Sequence, residues 1–156
     1  MTPAVLLVRK RGIAHELLSY THDPSIRSYG LEAAEALGLD PASVFKTLIV
    51  EVEGVGLACA VVPVAHTLDL KAMADAVGGR RARMAQVQAA ERSTGYVHGG
   101  ISPIAQKRML PTRIDESARG QHRIHVSAGR RGLELVLSPD DLLSVTRGEY
   151  ARISKS

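Results

Sequence analysis

Cysteine and aromatic residues are scarce in this chain of 156 residues, and each shortage excludes a class of protein. Cys59 is the only cysteine, so the chain cannot be held together by internal disulfides, as small secreted proteins often are. Tryptophan is absent, and aromatic residues make up only 3% of the chain. This composition argues against a broad aromatic surface on which the bases of a single-stranded nucleic acid would stack.

Long hydrophobic runs are missing as well. The longest apolar run covers residues 57–65, contains a proline, and is far shorter than the roughly 20 residues that a transmembrane helix needs. The N-terminal stretch MTPAVLLVRKRG places its apolar part before its basic part, which is the reverse of a secretory signal peptide. We therefore expect a cytoplasmic protein with no membrane partner.

Positive charge exceeds negative charge only mildly. The chain has 20 lysine and arginine residues against 16 acidic residues, a formal net charge of +4, which permits nucleic-acid binding without demonstrating it. The cations are partly clustered, at Arg80, Arg81 and Arg83, at Lys107 and Arg108, and at Arg130 and Arg131. Such clusters are more often solvated turns and helix ends than phosphate-contacting surfaces, and the sequence alone favours the commoner explanation.

Helices and strands alternate along the chain in a pattern typical of a mixed fold. Helices are predicted to begin at Thr2-Pro3 and Ser138-Pro139, where a capping side chain precedes a proline, and to cover residues 31–37, 68–77 and 85–92. Strands are predicted at residues 13–20, in a hairpin over 44–64, and at 112–114, 123–126 and 133–137. Several hairpins indicate an α+β fold with a substantially antiparallel sheet, in one domain spanning residues 1–156.

Lys46 fits poorly in the apolar strand that begins at Val44. Alternate residues of a strand share a face, so Lys46 shares its face with Leu48 and Val50. The commoner explanation is a lysine whose stem lies on the core while its ammonium group reaches water. The functional alternative is a cation at the mouth of a pocket, where it binds a phosphate or carboxylate or stabilises an oxyanion. The strand pattern by itself favours the first explanation.

The stretch TGYVHGGISP, residues 94–103, is a second candidate. Gly99 and Gly100 lack side chains, so the pattern predicts that ligand atoms can approach their backbone N–H groups. A loop of this kind can present several N–H donors to an oxyanion or a polarised carbonyl. The alternative is a structural turn between a helix and a strand, because glycine spacing alone is weak evidence.

No other pattern points to metal binding or to a protein nucleophile. The histidines are scattered, although His98 lies beside the two glycines and is a candidate for contacting a ligand. Cys59 lies in the middle of an apolar strand, which favours a small buried residue over a nucleophile. We therefore expect neither a metal nor a cofactor.

Four long stretches add information that spacing cannot give: SYGLEAAEALGLDPASVFKTLIV, VPVAHTLDLKAMADAVGG, ERSTGYVHGGISPIAQKRMLPTRIDESA and VSAGRRGLELVLSP. Together they resemble the YbaK/EbsC family of aminoacyl-tRNA deacylases, whose relatives include the editing domain inserted in bacterial prolyl-tRNA synthetases. The resemblance runs in the same order over residues 2–153 and is strongest to the type that acts on Cys-tRNA(Pro).

This resemblance implies a compact mixed α+β fold with a curved, barrel-like mixed sheet surrounded by helices, and a site between the strand of Lys46 and the glycine-rich loop. Lys46 matches the essential lysine of the family. The loop whose backbone holds the aminoacyl carbonyl is matched by Gly99, Gly100, Ile101, Ser102 and Pro103. Substrate-binding positions are matched by Tyr20, Tyr29, Thr47 and Ser127. Tyr29 stands where relatives often carry Phe, and Glu134 where some carry Asp.

The function implied by the resemblance is trans-editing: hydrolase- or lyase-type removal of cysteine from mischarged Cys-tRNA(Pro), with other Cys-tRNAs as further substrates. The cysteine thiol attacks its own ester carbonyl and leaves as a cyclic thiolactone. The implied partners are the acceptor end of an aminoacyl-tRNA and, in a transient complex, prolyl-tRNA synthetase. Two alternatives stay open: a deacylase for another misacylated tRNA, such as Ala-tRNA(Pro) or Ser-tRNA, and a non-catalytic module that binds tRNA or nucleotides.

Overall fold

The computed structural model describes residues 1–25 and 29–156, and of Tyr29 it describes the backbone alone. The helices are α1 (Pro3–Lys10), α2 (Tyr29–Leu37), α3 (Leu70–Ala76), α4 (Val87–Thr94) and α5 (Pro139–Thr146). The strands are β1 (Glu16–Ser19), β2 (Phe45–Val52), β3 (Gly56–Pro63), β4 (Thr67–Leu68), β5 (Ala82–Met84), β6 (Thr112–Asp115), β7 (Ile124–Arg130), β8 (Leu133–Leu137), β9 (Glu149–Ala151) and β10 (Ser154–Lys155). No helix in this part of the chain is long and apolar enough to cross a membrane.

The strands form three sheets among the described residues. The largest has the order β5-β2-β3-β6-β9 and is mixed, since β2 pairs antiparallel with β3 and β5 while β6 pairs parallel with β3 and β9. A second, antiparallel sheet has the order β1-β8-β7, and β4 pairs with β10 in the third. A parallel bridge between Val44 and His125 links the two larger sheets. The predicted α+β class is confirmed, although the sheets do not close into one barrel.

Local sequence signals place most elements correctly. Thr2 caps α1 by accepting a hydrogen bond from the Val5 N–H at 3.3 Å, and Ser138 caps α5 by accepting one from the Asp141 N–H at 3.1 Å. The predicted hairpin over residues 44–64 is confirmed as β2 and β3. The helix predicted at 85–92 begins and ends two residues later, as α4, and residue 68 belongs to β4 instead of α3.

β2 separates two hydrophobic clusters and so explains the alternation of its side chains. Phe45 and Ile49 pack into the larger cluster with Cys59 of β3, whereas Val50 and Val52 pack into the second cluster on the opposite face. Cys59 is completely buried, and burial raises the pKa of its thiol to about 12. Its predicted role as a small core residue is therefore confirmed, because such a thiol is not ionised near neutral pH.

The glycine-rich loop after α4 packs tightly against the β7–β8 hairpin. The hydroxyl of buried Tyr96 donates to the Ile104 carbonyl at 2.7 Å, and the Ser102 hydroxyl accepts from the Ile104 N–H at 3.2 Å. A Cβ atom added to Gly100 would lie 2.8 Å from the Arg131 nitrogen and 3.0 Å from the Arg130 Cα. Position 100 is therefore a glycine because the hairpin backbone occupies the space that a side chain needs.

We expect Gly100→Ala to destabilise the protein by about 1–3 kcal/mol, because the added methyl group must push two backbone segments apart. Gly120→Ala is the matched control, since a Cβ at Gly120 meets no atom within 4 Å. Urea denaturation of both variants measures the difference. Equal denaturation midpoints for the two variants would contradict the contact between the loop and the hairpin.

Candidate active site

A cavity of about 270 Å³ opens where β2, α2, the glycine-rich loop and the β7–β8 hairpin meet. Its volume is just below the usual range for small-molecule sites, roughly 300–1,000 Å³. The wall is formed by Tyr20, Gly30, Phe45, Lys46, Thr47, Leu48, His98, Gly99, Ile101, Ser127, Arg130, Arg131 and Glu134. Positions more than 100 residues apart in the sequence therefore meet at one site.

The cavity collects most, but not all, of the residues predicted for the site. Six of them line it: Tyr20, Lys46, Thr47, Gly99, Ile101 and Ser127. Gly100 and Ser102 are buried behind the wall, and Pro103 lines a separate small cleft. Tyr29 begins α2, but its side chain lies outside the described part of the chain.

Lys46 lies at the start of β2, in the part of the strand that lines the cavity. Its strand partner is Val62, and α2 approaches closely there, since a Cβ on Gly30 would lie 3.7 Å from the Lys46 Cβ. Burial lowers the pKa of the Lys46 ammonium group, because removing a cation from water disfavours the charged form. No acidic residue in the described part of the chain forms an ion pair with Lys46. Lys46 therefore lines the cavity with no acidic counter-ion from residues 1–25 or 30–156.

Two further polar groups of the cavity wall have no partner in the part of the chain that the structure describes. The Thr47 hydroxyl is buried and has no hydrogen-bond partner among the described residues. The Glu134 side chain is 6% exposed and has no hydrogen bond or ion pair there either. Burial raises the pKa of the Glu134 carboxyl to about 8. Buried polar groups are normally paired in a folded protein, so this wall is suited to a polar ligand.

The glycine-rich loop presents its backbone differently from the sequence-based expectation. The Gly100 N–H donates to the Val97 carbonyl at 2.9 Å and so closes a turn, in which Gly99 has a φ of +93°. Glycine suits that left-handed position, and the Gly100 N–H is already used. The Ile101 and Ser102 N–H groups have no acceptor among the described residues. Ile101 lines the cavity, so its N–H is placed to bind a ligand oxygen, whereas Ser102 is fully buried next to it in the loop.

Arg131 lines the cavity, and its side chain also forms a structural ion pair with α2. Its Nε atom lies 3.2 Å from Glu32 of α2, and the His22 Nδ1 lies 3.1 Å from the same carboxylate. Burial raises the pKa of Glu32, but hydrogen bonds from the Asp23 N–H, His22 and Arg131 outweigh burial and lower it overall. This carboxylate therefore ties the hairpin to α2 and to the segment before it.

Sequence reasoning left several wall residues out of the predicted site, among them Gly30, Leu48, Arg130 and Arg131. Gly30 carries no local signal, because its role is to let α2 approach β2. Arg130 and Arg131 form a basic cluster in the sequence, but nothing in the sequence places that cluster at the cavity. His98, a candidate ligand contact, does line it. Among the described residues, no group of three or more His, Cys, Asp and Glu side chains is arranged to hold a metal.

Comparison with known proteins adds relatives of known family. Residues 23–145 match the family described as the aminoacyl-tRNA editing domain. An Enterococcus faecalis protein, named as a candidate Cys-tRNA(Pro)/Cys-tRNA(Cys) deacylase, EbsC, is 40% identical over 121 residues, covering 78% of this chain and 74% of that protein. A proline–tRNA ligase of Shouchella clausii is 32% identical over 124 residues, covering 79% of this chain but only 21% of the ligase.

One solved structure shows the same architecture over the whole chain. The crystal structure of a candidate trans-editing enzyme for prolyl-tRNA synthetase superposes with a TM-score of 0.83 at 24% identity, covering 100% of this chain and 99% of the other. A likeness at this level of identity supports the fold.

We expect Glu134→Gln to change how stability depends on pH. A carboxyl whose pKa rises from 4.5 in the unfolded chain to about 8 in the fold contributes stability below pH 4.5, and this contribution is lost as pH rises to 8. The wild type should therefore lose a few kcal/mol between pH 5 and 9, because each unit of pKa difference corresponds to about 1.4 kcal/mol. Urea denaturation over that range should show a flatter profile for Glu134→Gln.

The matched control is Glu35→Gln, since Glu35 lies exposed on α2. Its pH profile should follow that of the wild type. If Glu134→Gln and the wild type lost stability in parallel as pH rises, Glu134 would not be the buried carboxyl described above.

Proposed function

This chain belongs to the aminoacyl-tRNA editing domain family and is an aminoacyl-tRNA deacylase, and on that premise we propose that its substrate is mischarged Cys-tRNA(Pro). The observation that carries the proposal is the convergence on one small cavity of Lys46, Thr47 and Glu134, whose polar groups have no partner within the described part of the chain. An aminoacyl ester of the terminal adenosine offers an ammonium group, a carbonyl oxygen and ribose hydroxyls. The ammonium group complements the carboxyl group of Glu134, and the oxygen atoms complement the cation of Lys46 and the hydroxyl of Thr47.

In this proposal Lys46 holds the reacting end of the tRNA. Its ammonium group binds the phosphate or ribose of the terminal adenosine and the ester, and it acts through charge and positioning. Partial burial strengthens such an interaction, because the effective dielectric constant at the cavity is lower than that of water. The substrate's ammonium group pairs with Glu134, and a cation beside this carboxyl favours its ionised form.

The ester carbonyl becomes an oxyanion when it is attacked, and N–H groups of the glycine-rich loop that have no acceptor among the described residues are proposed to bind it. The first donor is the N–H of the wall residue Ile101 and the second that of its buried neighbour Ser102, whereas the Gly100 N–H holds the loop turn together. Loss of one such donor in other enzymes costs about 10²–10³ in rate. Gly99 and Gly100 therefore contribute through the turn and through packing, and Pro103 fixes the far end of the loop.

The nucleophile is proposed to be the substrate's own thiol. Its sulfur attacks the carbonyl carbon, the bond from that carbon to the ribose oxygen breaks, and the thiol proton ends on the ribose oxygen. The released four-membered thiolactone is then opened by water to free cysteine. Cys59 does not compete as a nucleophile, since it is buried and its thiol has a pKa of about 12. The enzyme needs only to hold the reactants in a reactive geometry.

Substrate choice follows from this chemistry. A serine hydroxyl is a weaker nucleophile than a thiol, and alanine has no group that can form a ring. The cavity walls around Tyr20 and Ile101 would decide any preference by size. Specificity for tRNA(Pro) is proposed to come from a transient complex with prolyl-tRNA synthetase, and the full proteins named among the relatives include both a deacylase and a proline–tRNA ligase.

We expect Lys46→Ala to reduce hydrolysis of Cys-tRNA(Pro) by about 100-fold or more, because charge and positioning at the ester are lost together. Lys71→Ala is the matched control, since Lys71 is an exposed lysine on α3, and it should retain wild-type activity. The assay follows release of labelled amino acid from Cys-, Ala- and Pro-tRNA(Pro). Equal hydrolysis of Cys-tRNA(Pro) by wild type and Lys46→Ala would overturn the role of Lys46. Faster hydrolysis of Ala- than of Cys-tRNA(Pro) would overturn the proposed substrate.

Thiolactone should be the first product of Cys-tRNA(Pro) turnover. A reactive amine present during a rapid-quench experiment captures the thiolactone as an amide, which mass spectrometry detects. We expect the amide to form at the earliest times and free cysteine to follow it. A control with S-methylcysteinyl-tRNA(Pro), whose sulfur cannot attack, should show little turnover. Free cysteine appearing without a lag and without the amide would favour direct attack by water.

A further inference from the structure

The basic clusters differ in whether acidic residues neutralise them. Arg80 lies 3.6 Å from Glu53, and Arg83 lies 3.1 Å from Glu51. Glu51 lies at the opposite end of β2 from Lys46, and at about 3.3 Å per residue the separation along the strand is about 16 Å. Two of the three arginines in this cluster are therefore paired with acidic residues, and the cluster is remote from the cavity.

A second group of cations is exposed and lies beside the glycine-rich loop. Arg92 belongs to the last turn of α4, and backbone hydrogen bonds bring the next two cations alongside it. The Lys107 N–H donates to the Thr94 carbonyl and the Arg108 N–H to the Ser93 carbonyl, both at 2.9 Å. None of the three cationic side chains has an ion pair or hydrogen bond with the described residues.

The glycine-rich loop connects this group of cations to the cavity wall. The loop of residues 95–101 runs from the end of α4 to the wall residues Gly99 and Ile101. Beyond it, exposed Arg130 lines the cavity and likewise has no ion pair within the described residues. Glu91, the acidic residue of α4, accepts the His98 N–H at 2.8 Å. We call Arg92, Lys107, Arg108 and Arg130 the cationic strip.

We propose that the cationic strip binds the phosphodiester backbone of the tRNA acceptor end, next to the terminal adenosine held in the cavity. This inference rests on the proposed function, since the tRNA is the substrate. Unpaired surface cations are free to replace the counter-ions of phosphates, whereas Arg80 and Arg83 must first leave their carboxylates. The tRNA beyond the reactive ester must leave the cavity. Arg130 of the strip lines the cavity, and the glycine-rich loop joins the wall to the end of α4, where Arg92, Lys107 and Arg108 lie.

The test compares two triple variants of equal charge: Arg92→Gln/Lys107→Gln/Arg108→Gln in the strip, and Arg80→Gln/Arg81→Gln/Arg83→Gln as the control. Binding of fluorescently labelled tRNA(Pro) that carries no amino acid is measured by fluorescence anisotropy between 50 and 200 mM salt. We expect the strip variant to bind at least tenfold more weakly at 50 mM salt. Affinity falls as salt rises, and for the strip variant the slope of log affinity against log salt should be shallower than for the wild type by about 2. Each of the three lost phosphate contacts contributes about 0.7 to that slope in a single strand.

The control variant should change affinity less than about twofold, because its arginines lie far from the proposed path of the tRNA. A hairpin that reproduces only the acceptor stem and its single-stranded end should show the same difference between the two variants, since the strip is proposed to contact that part of the tRNA. Equal weakening by both variants, or a difference that disappears with the acceptor-stem hairpin, would overturn the proposal.

Binding of uncharged tRNA needs no catalysis, so the result separates this inference from the proposed reaction. Strip-dependent binding in a protein that fails to hydrolyse Cys-tRNA(Pro) would support the strip and overturn the choice of substrate. If the wild type hydrolyses Cys-tRNA(Pro) and the strip variant binds tRNA as tightly as the wild type, the choice of substrate is supported and the role of the strip is overturned. Circular dichroism melting of both variants checks that a difference in binding does not come from unfolding.

Discussion

The backbone of the glycine-rich loop lies directly against the backbone of the β7–β8 hairpin. These two segments form part of the cavity wall, and their positions depend on this contact. Since no Cβ fits at Gly100, the two segments touch without a side chain between them, and a shift of one moves the other. The Tyr96 hydroxyl and the Ser102 hydroxyl fix the loop from within through Ile104. The N–H groups proposed to bind the oxyanion are therefore held in place before substrate arrives, and preorganised donors need little rearrangement when charge develops.

The cavity wall contrasts with the rest of the interior in how its polar groups are satisfied. Glu32 shares its buried carboxylate among several donors, and Arg131 is bound to it. Lys46, Thr47 and Glu134 have no such partners in the described part of the chain, and leaving them so costs free energy of folding. A ligand that supplies the missing partners recovers part of that cost as binding energy. In the proposed function, the same groups that destabilise the free protein are the ones that recognise the aminoacyl ester.

The sequence predicted the elements well where signals are local and the site poorly where they are not. Helix caps at Thr2 and Ser138 and the alternation of β2 follow from neighbouring residues, and the structure confirms them. Gly100 was singled out for a different reason, because the hairpin that excludes its side chain lies 30 residues further along the chain. Likewise, the arginines near residue 80 look the same as those near the site until their distant glutamate partners are known. Only the family resemblance linked Lys46 with the glycine-rich loop in advance.

Affinity and selectivity come from different parts of the molecule if the cationic strip and the cavity act as proposed. Backbone phosphates are alike in every tRNA, so contacts with the strip strengthen binding of all aminoacyl-tRNAs equally and distinguish none of them. Binding of this uniform kind does not lower the barrier of the chemical step. Discrimination then falls to the reaction inside the cavity, where the amino acid must supply its own nucleophile. In this way a small domain can act selectively on cysteine although its pocket does not bind a thiol more tightly than a hydroxyl. The distinction comes from the higher reactivity of the substrate's thiol.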